Sequence, residues 1–493
     1  MLRPLEKALV NTSLILLIVI LLLVYYWMQI LDANFINIGD DNLYNGLKPV
    51  TFLYFISIIL INYKISIFKF HFSIPSVLFM SFMGYFIYLG SLDHYFQDQT
   101  GVKFIYNESI SESYFYIQLS LLSWIFGYVT GSAFFPKFSK VRLLNGWKVT
   151  VRRWSKTRLK WMVNWIGIVG IVAFSVFYTF YIKGFPVIQG ISPNASSELR
   201  SIVSGEGHLA HLIAFNAMTM VLIYGGVYMV MFGKNNFIIF MFLSAILAFL
   251  LWGARIYIAI PVLMIFPYLT RIKEYPLKKI MSLIVAFVVL GSVYGAVRNL
   301  AFYEERNQII SYDNTIDKMA SLHFAPEFRD TAGVVSYLEE LRQEYGPEPY
   351  IAGIFYTALP GRILSFFGID KQKLFDEEGS GSGWLIAKVT RGYDWGGVRP
   401  GIMSQTLMAF GIVGVIVLFV GYGTLFSYLD HKAMTGDRNS PNMVLIYILS
   451  GLFSFSIIGT THSVFSKFWY LIYFFIIVLL LTSKVEKNKN AVL

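Results

Sequence analysis

Arg391-Gly-Tyr-Asp-Trp-Gly-Gly-Val-Arg-Pro-Gly401 closes a polar segment that begins at Asn299. Apolar stretches flank that segment on both sides. Residues 280–297 precede it and residues 407–429 follow it. A hydrocarbon core takes roughly 20 apolar residues per helix, so each flank reads as a membrane span and the segment between them as a large loop on one face. Arg, Glu, Asp, Gly and aromatic residues crowd the loop. Its function is therefore sought there and where it meets the membrane.

The rest of the 493-residue chain agrees with this reading. It is 56% apolar and only 14% charged, against about 25% charge in soluble proteins. The expected fold is an all-α polytopic membrane protein with about twelve transmembrane helices, counted by the 20-residue rule. Its regions are the N-terminal spans with a basic loop (1–160), a core (161–298), the large loop (299–400) and the C-terminal spans (401–493). The first apolar stretch, Ser13 to Ile30, lacks a small-residue cleavage site and reads as an uncleaved span. There is no cysteine, which excludes disulfides, thiolate metal sites and cysteine nucleophiles. The net charge of +11 does not indicate nucleic acid. Its Lys and Arg sit largely in short loops such as 136–160 and 271–279 and in the tail, where the positive-inside rule puts them. That places the large loop outside the cytoplasm.

Two local features sharpen the picture. The apolar block from Phe237 to Leu269 is too long for one span and breaks at Gly253-Ala-Arg255. It reads as a hairpin with Arg255 at its turn, or as one tilted helix with Arg255 buried. Arginine at membrane depth is costly unless paired or hydrated. Within the large loop, Val334, Leu338, Leu341 and Tyr345 share a helical face, while Glu339, Glu340, Arg342 and Gln343 lie mostly opposite. An amphipathic helix is expected from Thr331 to Tyr345, capped by Asp330 and stopped by Gly346-Pro347.

By this topology Arg200, Arg255, Arg298, Arg362, Arg391 and Arg399 all fall outside. Arginine grips phosphate in a bidentate manner. Such a set points to a bound phosphate or pyrophosphate, with leaving-group charge stabilised by fixed cations and no metal. An acceptor hydroxyl needs a base within reach. His462 is favoured because it titrates in the useful range, with Asp394 and His323 as rivals. Trp384, Tyr393 and Trp395 supply rings for sugar stacking or for interfacial anchoring. No HExxH metal site is present, and no cofactor is expected.

Four features resemble the O-antigen polymerase (Wzy) family of oligosaccharide repeat-unit polymerases. They are Gly184-Phe-Pro followed by Arg200, Leu251-Trp-Gly-Ala-Arg255, Arg298 before the large loop, and Gly396-Gly-Val-Arg-Pro-Gly401 running into Met408-Ala-Phe-Gly411-Ile-Val-Gly414. The resemblance covers roughly residues 160–480. It implies a metal-independent GT-C-type glycosyltransferase in the bacterial cytoplasmic membrane, working on the outer face. Such an enzyme transfers a glycan from undecaprenyl pyrophosphate to the terminal sugar of a lipid-linked repeat unit. It implies pyrophosphate contacts for Arg255 and Arg298, and a chain-length regulator as partner. An O-antigen ligase is the nearest alternative. A flippase for the same lipid-linked unit is the alternative of another class, but one loop dominates here and no internal repeat is visible.

Overall fold

The computed structural model describes residues 41–65, 74–91, 107–144, 151–186, 208–252, 256–272, 327–355, 400–436, 440–459 and 483–486, with isolated positions at 189, 366, 368, 385, 386, 388 and 389. The described chain is helical apart from one two-stranded ribbon. Helices Lys156–Ile182, Ala210–Phe232 and Gly401–Thr435 are long and apolar enough to cross a membrane. Gly46–Ile61, Pro75–Leu89, Asn236–Trp252 and Asn442–Phe455 are shorter apolar helices. The expected spans at 13–30, 280–297 and 468–481 lie outside the described residues.

The chain divides into two compact units, each assembled from separated segments. The first takes residues 1–140, 324–431 and 453–462. It contains α1 (Asp41–Ile65), α2 (Pro75–Gly84, continued by a π-helical turn, Tyr85–Leu89), nearly all of α3 (Asn107–Leu144), the loop helices α8 (Glu327–Ser336), α9 (Leu338–Glu344) and α10 (Pro347–Phe355), and most of α11 (Gly401–Thr435).

Helices α3 and α11 meet backbone to backbone. A Cβ on Gly127 would lie 2.1 Å from the Val420 carbonyl oxygen, and one on Gly423 would lie 2.1 Å from that of Trp124. Thr424 Oγ1 donates to the Gly127 carbonyl at 3.1 Å. Small residues allow this approach where lipid supplies no hydrophobic drive between helices. Because Gly127 faces Val420 and Gly131 faces Thr424 and Ser427, the two helices run in the same direction. Beside the seam, Trp124 stacks on Phe79 at 5.6 Å and on Tyr128 at 4.8 Å.

Asp430 is buried in this unit. It accepts from the Ser76 N–H at 2.9 Å, from the Tyr128 hydroxyl at 2.6 Å and from the Ser76 hydroxyl. Ser76 lies in the first turn of α2, behind Pro75. The carboxylate thus caps a helix from a distant part of the chain, answering orphan N–H groups with negative charge where the dipole favours it.

The loop helices pack on this unit. Phe328 sits 5.1 Å from Tyr114 and 6.1 Å from Phe86. The Ser336 hydroxyl donates to Ser109 at 2.6 Å, and Tyr350 and Thr406 share a hydrogen bond of 2.9 Å. Val334, Leu341 and Tyr345 are buried, Leu338 is half-buried, and Glu339, Glu340, Arg342 and Gln343 are exposed. The expected face is therefore present, but the expected single helix from Thr331 is not. Helix α8 starts four residues earlier, at Glu327, and a break at Tyr337 separates it from α9. Asp330 lies in the first turn of α8 and is not its cap. Tertiary bonds decide this, since the Thr331 hydroxyl reaches the Pro400 carbonyl at 3.1 Å and accepts from the Ser404 hydroxyl at 2.8 Å. Gly346-Pro347 ends α9 and at once starts α10, because Pro suits a first helical position.

The second unit takes residues 141–323, 432–452 and 463–493. It holds β1 (Val151–Trp154), α4 (Lys156–Val176, continued by a π-helical turn, Phe177–Ile182), α5 (His208–Phe232), α6 (Asn236–Trp252), α7 (Ile256–Ile272), most of α12 (Pro441–Phe455) and β2 (Ser483–Glu486). Helices α4 to α7 run up, down, up and down. Gly170 faces Ala217 while Phe174 stacks on Phe215, so α4 and α5 are antiparallel. Ile238 faces Gly225 while Trp252 meets Phe215, so α6 reverses α5. Leu269 faces Gly226, so α7 returns alongside α5. Of the two readings of Phe237–Leu269, the hairpin is therefore the one that forms.

At the end of this bundle opposite the hairpin tip, β1 pairs antiparallel with β2, Val151 opposite Glu486 and Trp154 opposite Ser483. Apart from this ribbon, the elements among the described residues are helical, in keeping with the expected all-α fold. A basic loop and a Lys-rich tail carry no strand pattern of their own, and they pair only because the fold brings them together. Apolar side chains cover the bundle exterior. On α4 they run from Trp161 to Phe180, a rise of about 28 Å at 1.5 Å per residue. That matches a hydrocarbon core of about 30 Å.

Candidate functional site

All twelve residues singled out above lie outside the described residues: Arg200, Arg255, Arg298, Arg362, Arg391, Arg399, His323, Asp394, His462, Trp384, Tyr393 and Trp395. What the structure does describe is the framework that leads to several of them. The segments containing Arg200, Arg255, Arg298 and His323 belong to the second unit, and those containing the other eight belong to the first.

In the second unit, two sequence features far apart in the chain come together. The π-helical turn after α4 ends at Lys183 in the left-handed conformation (φ 57°). Gly184 N–H then donates back to the Tyr178 carbonyl at 3.1 Å. This turn swings Phe185 against Tyr178, with ring centroids 4.9 Å apart. Trp252, the last residue of α6, lies 6.3 Å from Tyr178 and 5.5 Å from Phe177. Gly184-Phe-Pro and the approach to Gly253-Ala-Arg255 thus share one aromatic cluster. A π-turn inside an α-helix is a frequent mark of a functional site.

His211 sits in the same cluster. Its ring is 4.1 Å from Phe215, 5.3 Å from Phe177 and 5.6 Å from Trp252. It is half-buried in the first turns of α5. Phe177, Phe215 and Trp252 are almost wholly buried around it. Rings of this kind hold an imidazole in one orientation. The cluster thus holds an imidazole against the last turn of α6. The Tyr178 hydroxyl donates to the Ala248 carbonyl at 3.3 Å, which ties the π-turn to α6.

In the first unit, the start of α11 is bound to the chain that follows α12. Gly401 has φ +74°, and a Cβ there would meet the Ile457 carbonyl oxygen at 2.1 Å. Only glycine suits both demands. Ile402 N–H donates to the Ser456 carbonyl at 2.9 Å. Pro400 is buried and accepts from Thr331. The chain running back from Pro400 to Arg399 and the chain running on from Gly459 toward His462 therefore depart from one anchored place. Among the described residues, no group of three or more His, Cys, Asp or Glu is arranged to hold a metal ion.

Sequence reasoning missed His211. The signal available was His208-Leu-Ala-His211, a pair three residues apart at the head of an apolar helix. Such a pair shares a helix face. It also missed Asp430, which in sequence looks like an ordinary polar residue at the end of a span. Compared with protein-family models, curated proteins and solved structures, the chain matches none.

Proposed function

We propose that the protein is a membrane glycosyltransferase of GT-C type, an oligosaccharide repeat-unit polymerase. It transfers a growing glycan from undecaprenyl pyrophosphate to the terminal sugar of a lipid-linked repeat unit. The chain crosses the bacterial cytoplasmic membrane about twelve times by the 20-residue rule, with its active site on the outer face. The observation that carries this reading is the convergence of Gly184-Phe-Pro, His211 and the final turn before Gly253-Ala-Arg255 at one end of four apolar helices. Arg255 follows Trp252 by three residues in the sequence, and an arginine near a span end suits a pyrophosphate at headgroup depth. The ribbon supports the topology, since strand pairing requires the 151–154 loop and the 483–486 tail to share a side.

In this mechanism Arg255 and Arg298 bind the donor pyrophosphate and stabilise the charge that develops as the glycosidic bond breaks. Arg200, Arg362, Arg391 and Arg399 are the further candidate phosphate contacts that the sequence suggests. The acceptor hydroxyl gives its proton to His462, with Asp394, His323 and now His211 as the other bases. Trp384, Tyr393 and Trp395 stack on the sugars. No cofactor takes part.

The test is a glycan ladder. The gene is deleted in its host, and surface polysaccharide is resolved by size after complementation with wild type or Arg255→Ala. A single capped repeat unit in the deletion, unrescued by Arg255→Ala, is the expected result. With purified protein the transfer rate should fall about 100-fold or more in Arg255→Ala. Long chains that persist on undecaprenyl pyrophosphate would instead make the protein a ligase. Lipid-linked units accumulating on the inner face would make it a flippase.

A further inference from the structure

A second charged feature lies in the first unit, on residues that the proposed chemistry does not use. Helix α11 changes character along its length. From Gly401 to Ala409 every residue is buried. From Phe410 onward one face is open, with Phe410, Ile412, Val413 and Val417 exposed, Val413 at 70%. Helix α3 changes at the matching level. Ser111 and Glu112 are exposed and polar, and Phe115, Leu122, Phe126 and Val129 then form an exposed apolar face. The exposed face of α11 runs from Phe410 to Tyr428, about 27 Å at 1.5 Å per residue, which is close to the thickness of a hydrocarbon core. Phe410 and Phe115 therefore mark one headgroup plane, reached where α11 leaves protein contact and meets lipid.

Arg342 lies in that plane. It is exposed on α9, and its guanidinium stands 3.5–3.6 Å from where a Cβ on Gly411 would be. Gly411 is the kink of α11, with φ 66° and ψ −160°. Glu112 and Arg342 both lie within electrostatic reach of Tyr116. No hydrogen bond or ion pair joins Arg342 to Glu112, which carries the opposite charge, or to any other described residue. A guanidinium at the edge of lipid is stable only when hydrated or paired with an anion. The neighbouring charges narrow the anion. Glu339, Glu340 and Glu344 share the short helix with Arg342 and are exposed. Glu339, three residues before Arg342, shares its side of the helix, and with Glu112 it disfavours a ligand that carries only negative charge.

We propose that Arg342 and Glu112 form a binding site for a zwitterionic phospholipid with a primary-amine headgroup. The phosphate takes the guanidinium in a bidentate contact. The ammonium takes Glu112 and Glu339. One acyl chain lies along Phe115, Leu122 and Phe126, and the other along Phe410, Val413 and Val417. From Phe410 to Val417 the rise is about 11 Å, within the ~15 Å that one leaflet of a 30 Å core offers. The site requires only that α3 and α11 stand in a bilayer. It stands or falls apart from the proposed polymerase activity.

The experiment is native mass spectrometry on the full chain, delipidated in detergent and then exposed to phosphatidylethanolamine, phosphatidylglycerol or undecaprenyl pyrophosphate. Wild type should retain phosphatidylethanolamine in preference to phosphatidylglycerol. In Arg342→Gln that adduct should fall about tenfold or more, as the loss of a charge-assisted contact dictates. In Glu112→Gln the preference for the amine headgroup should disappear while phosphate binding remains. Arg342 bonds no described residue, so the variant should unfold at the wild-type temperature, and Arg342→Lys should bind with intermediate strength. Equal adducts in wild type and Arg342→Gln would overturn the proposal, as would a preference for phosphatidylglycerol. Displacement of phosphatidylethanolamine by equimolar undecaprenyl pyrophosphate in wild type but not in Arg342→Gln would also overturn it, making this a substrate site.

Discussion

Two glycine contacts, one in each unit, look alike in sequence and differ in what they meet. Gly127 in α3 faces backbone, with the Val420 carbonyl oxygen 2.1 Å from an added Cβ. Gly167 in α4 faces a side chain, with Met241 Sδ at 2.7 Å and its Cγ at 3.0 Å. A carbonyl can move only if its helix moves. A methionine can change rotamer, because its unbranched chain fills irregular space. The first unit is thus joined along a seam that no side chain can enter. The bundle of the second unit is joined by side chains that can rearrange, and it is this adaptable bundle that carries the aromatic cluster around His211.

The contrast yields a graded series. The largest effect is expected for Gly127→Ala, which forces α3 and α11 apart at a backbone contact. Overpacking of this kind costs about 3 kcal/mol or more. Thermal unfolding of the purified protein in detergent should show a large drop, or no folded protein should be recovered. A near-wild-type transition would mean the seam is not tight. Tyr128→Phe, in the same unit, removes one donor from Asp430 without altering shape. A hydrogen bond to a charged group contributes about 1.5–3 kcal/mol, so the unfolding midpoint should drop clearly but by less. An unchanged midpoint would show that Asp430 is satisfied without Tyr128. The smallest effect is expected for Gly167→Ala, at about 1 kcal/mol or less, because Met241 can swing aside and alanine favours helix. If Gly167→Ala proved as damaging as Gly127→Ala, the distinction between the two seams would fail.

The same bundle offers a test of chemistry apart from packing. His211→Phe keeps a ring between Phe215 and Trp252 and should leave the unfolding midpoint within about 1 kcal/mol of wild type, as shape-conserving swaps do. If His211 handles a proton in the proposed transfer, the glycan ladder should shorten or vanish all the same. A full ladder would reduce His211 to a packing residue.

Part of this architecture was legible in the chain. Phe237 to Leu269 is too long for one span, and Gly253-Ala-Arg255 marks where it turns. The order of partners along α5, with Trp252 near Phe215 and Leu269 near Gly226, agrees. In the large loop the spacing of Val334, Leu341 and Tyr345 identified the buried face. The helix start was misread because a capping argument sees only neighbours in sequence. Asp330 is a good cap by type, but Thr331 bonds Pro400, which lies 69 residues away. The π-turn at Phe177–Ile182 had no signal either, because a π-turn and an α-turn share one apolar pattern.

Composition and hydropathy periodicity alone determined that this chain is rich in apolar helices, that Phe237–Leu269 breaks in two, and which face of the loop helices is buried. These are local properties, since each follows from burying apolar side chains at a helical period. Tertiary structure alone decided that Asp430 caps α2, that Gly127 and Gly423 must lack side chains, that a basic loop pairs with a Lys-rich tail, and that His211 stands beside Trp252 at the end of α6. Each of these joins residues whose separation along the chain carries no pattern, so the partner is known only when the packed helices bring it within contact.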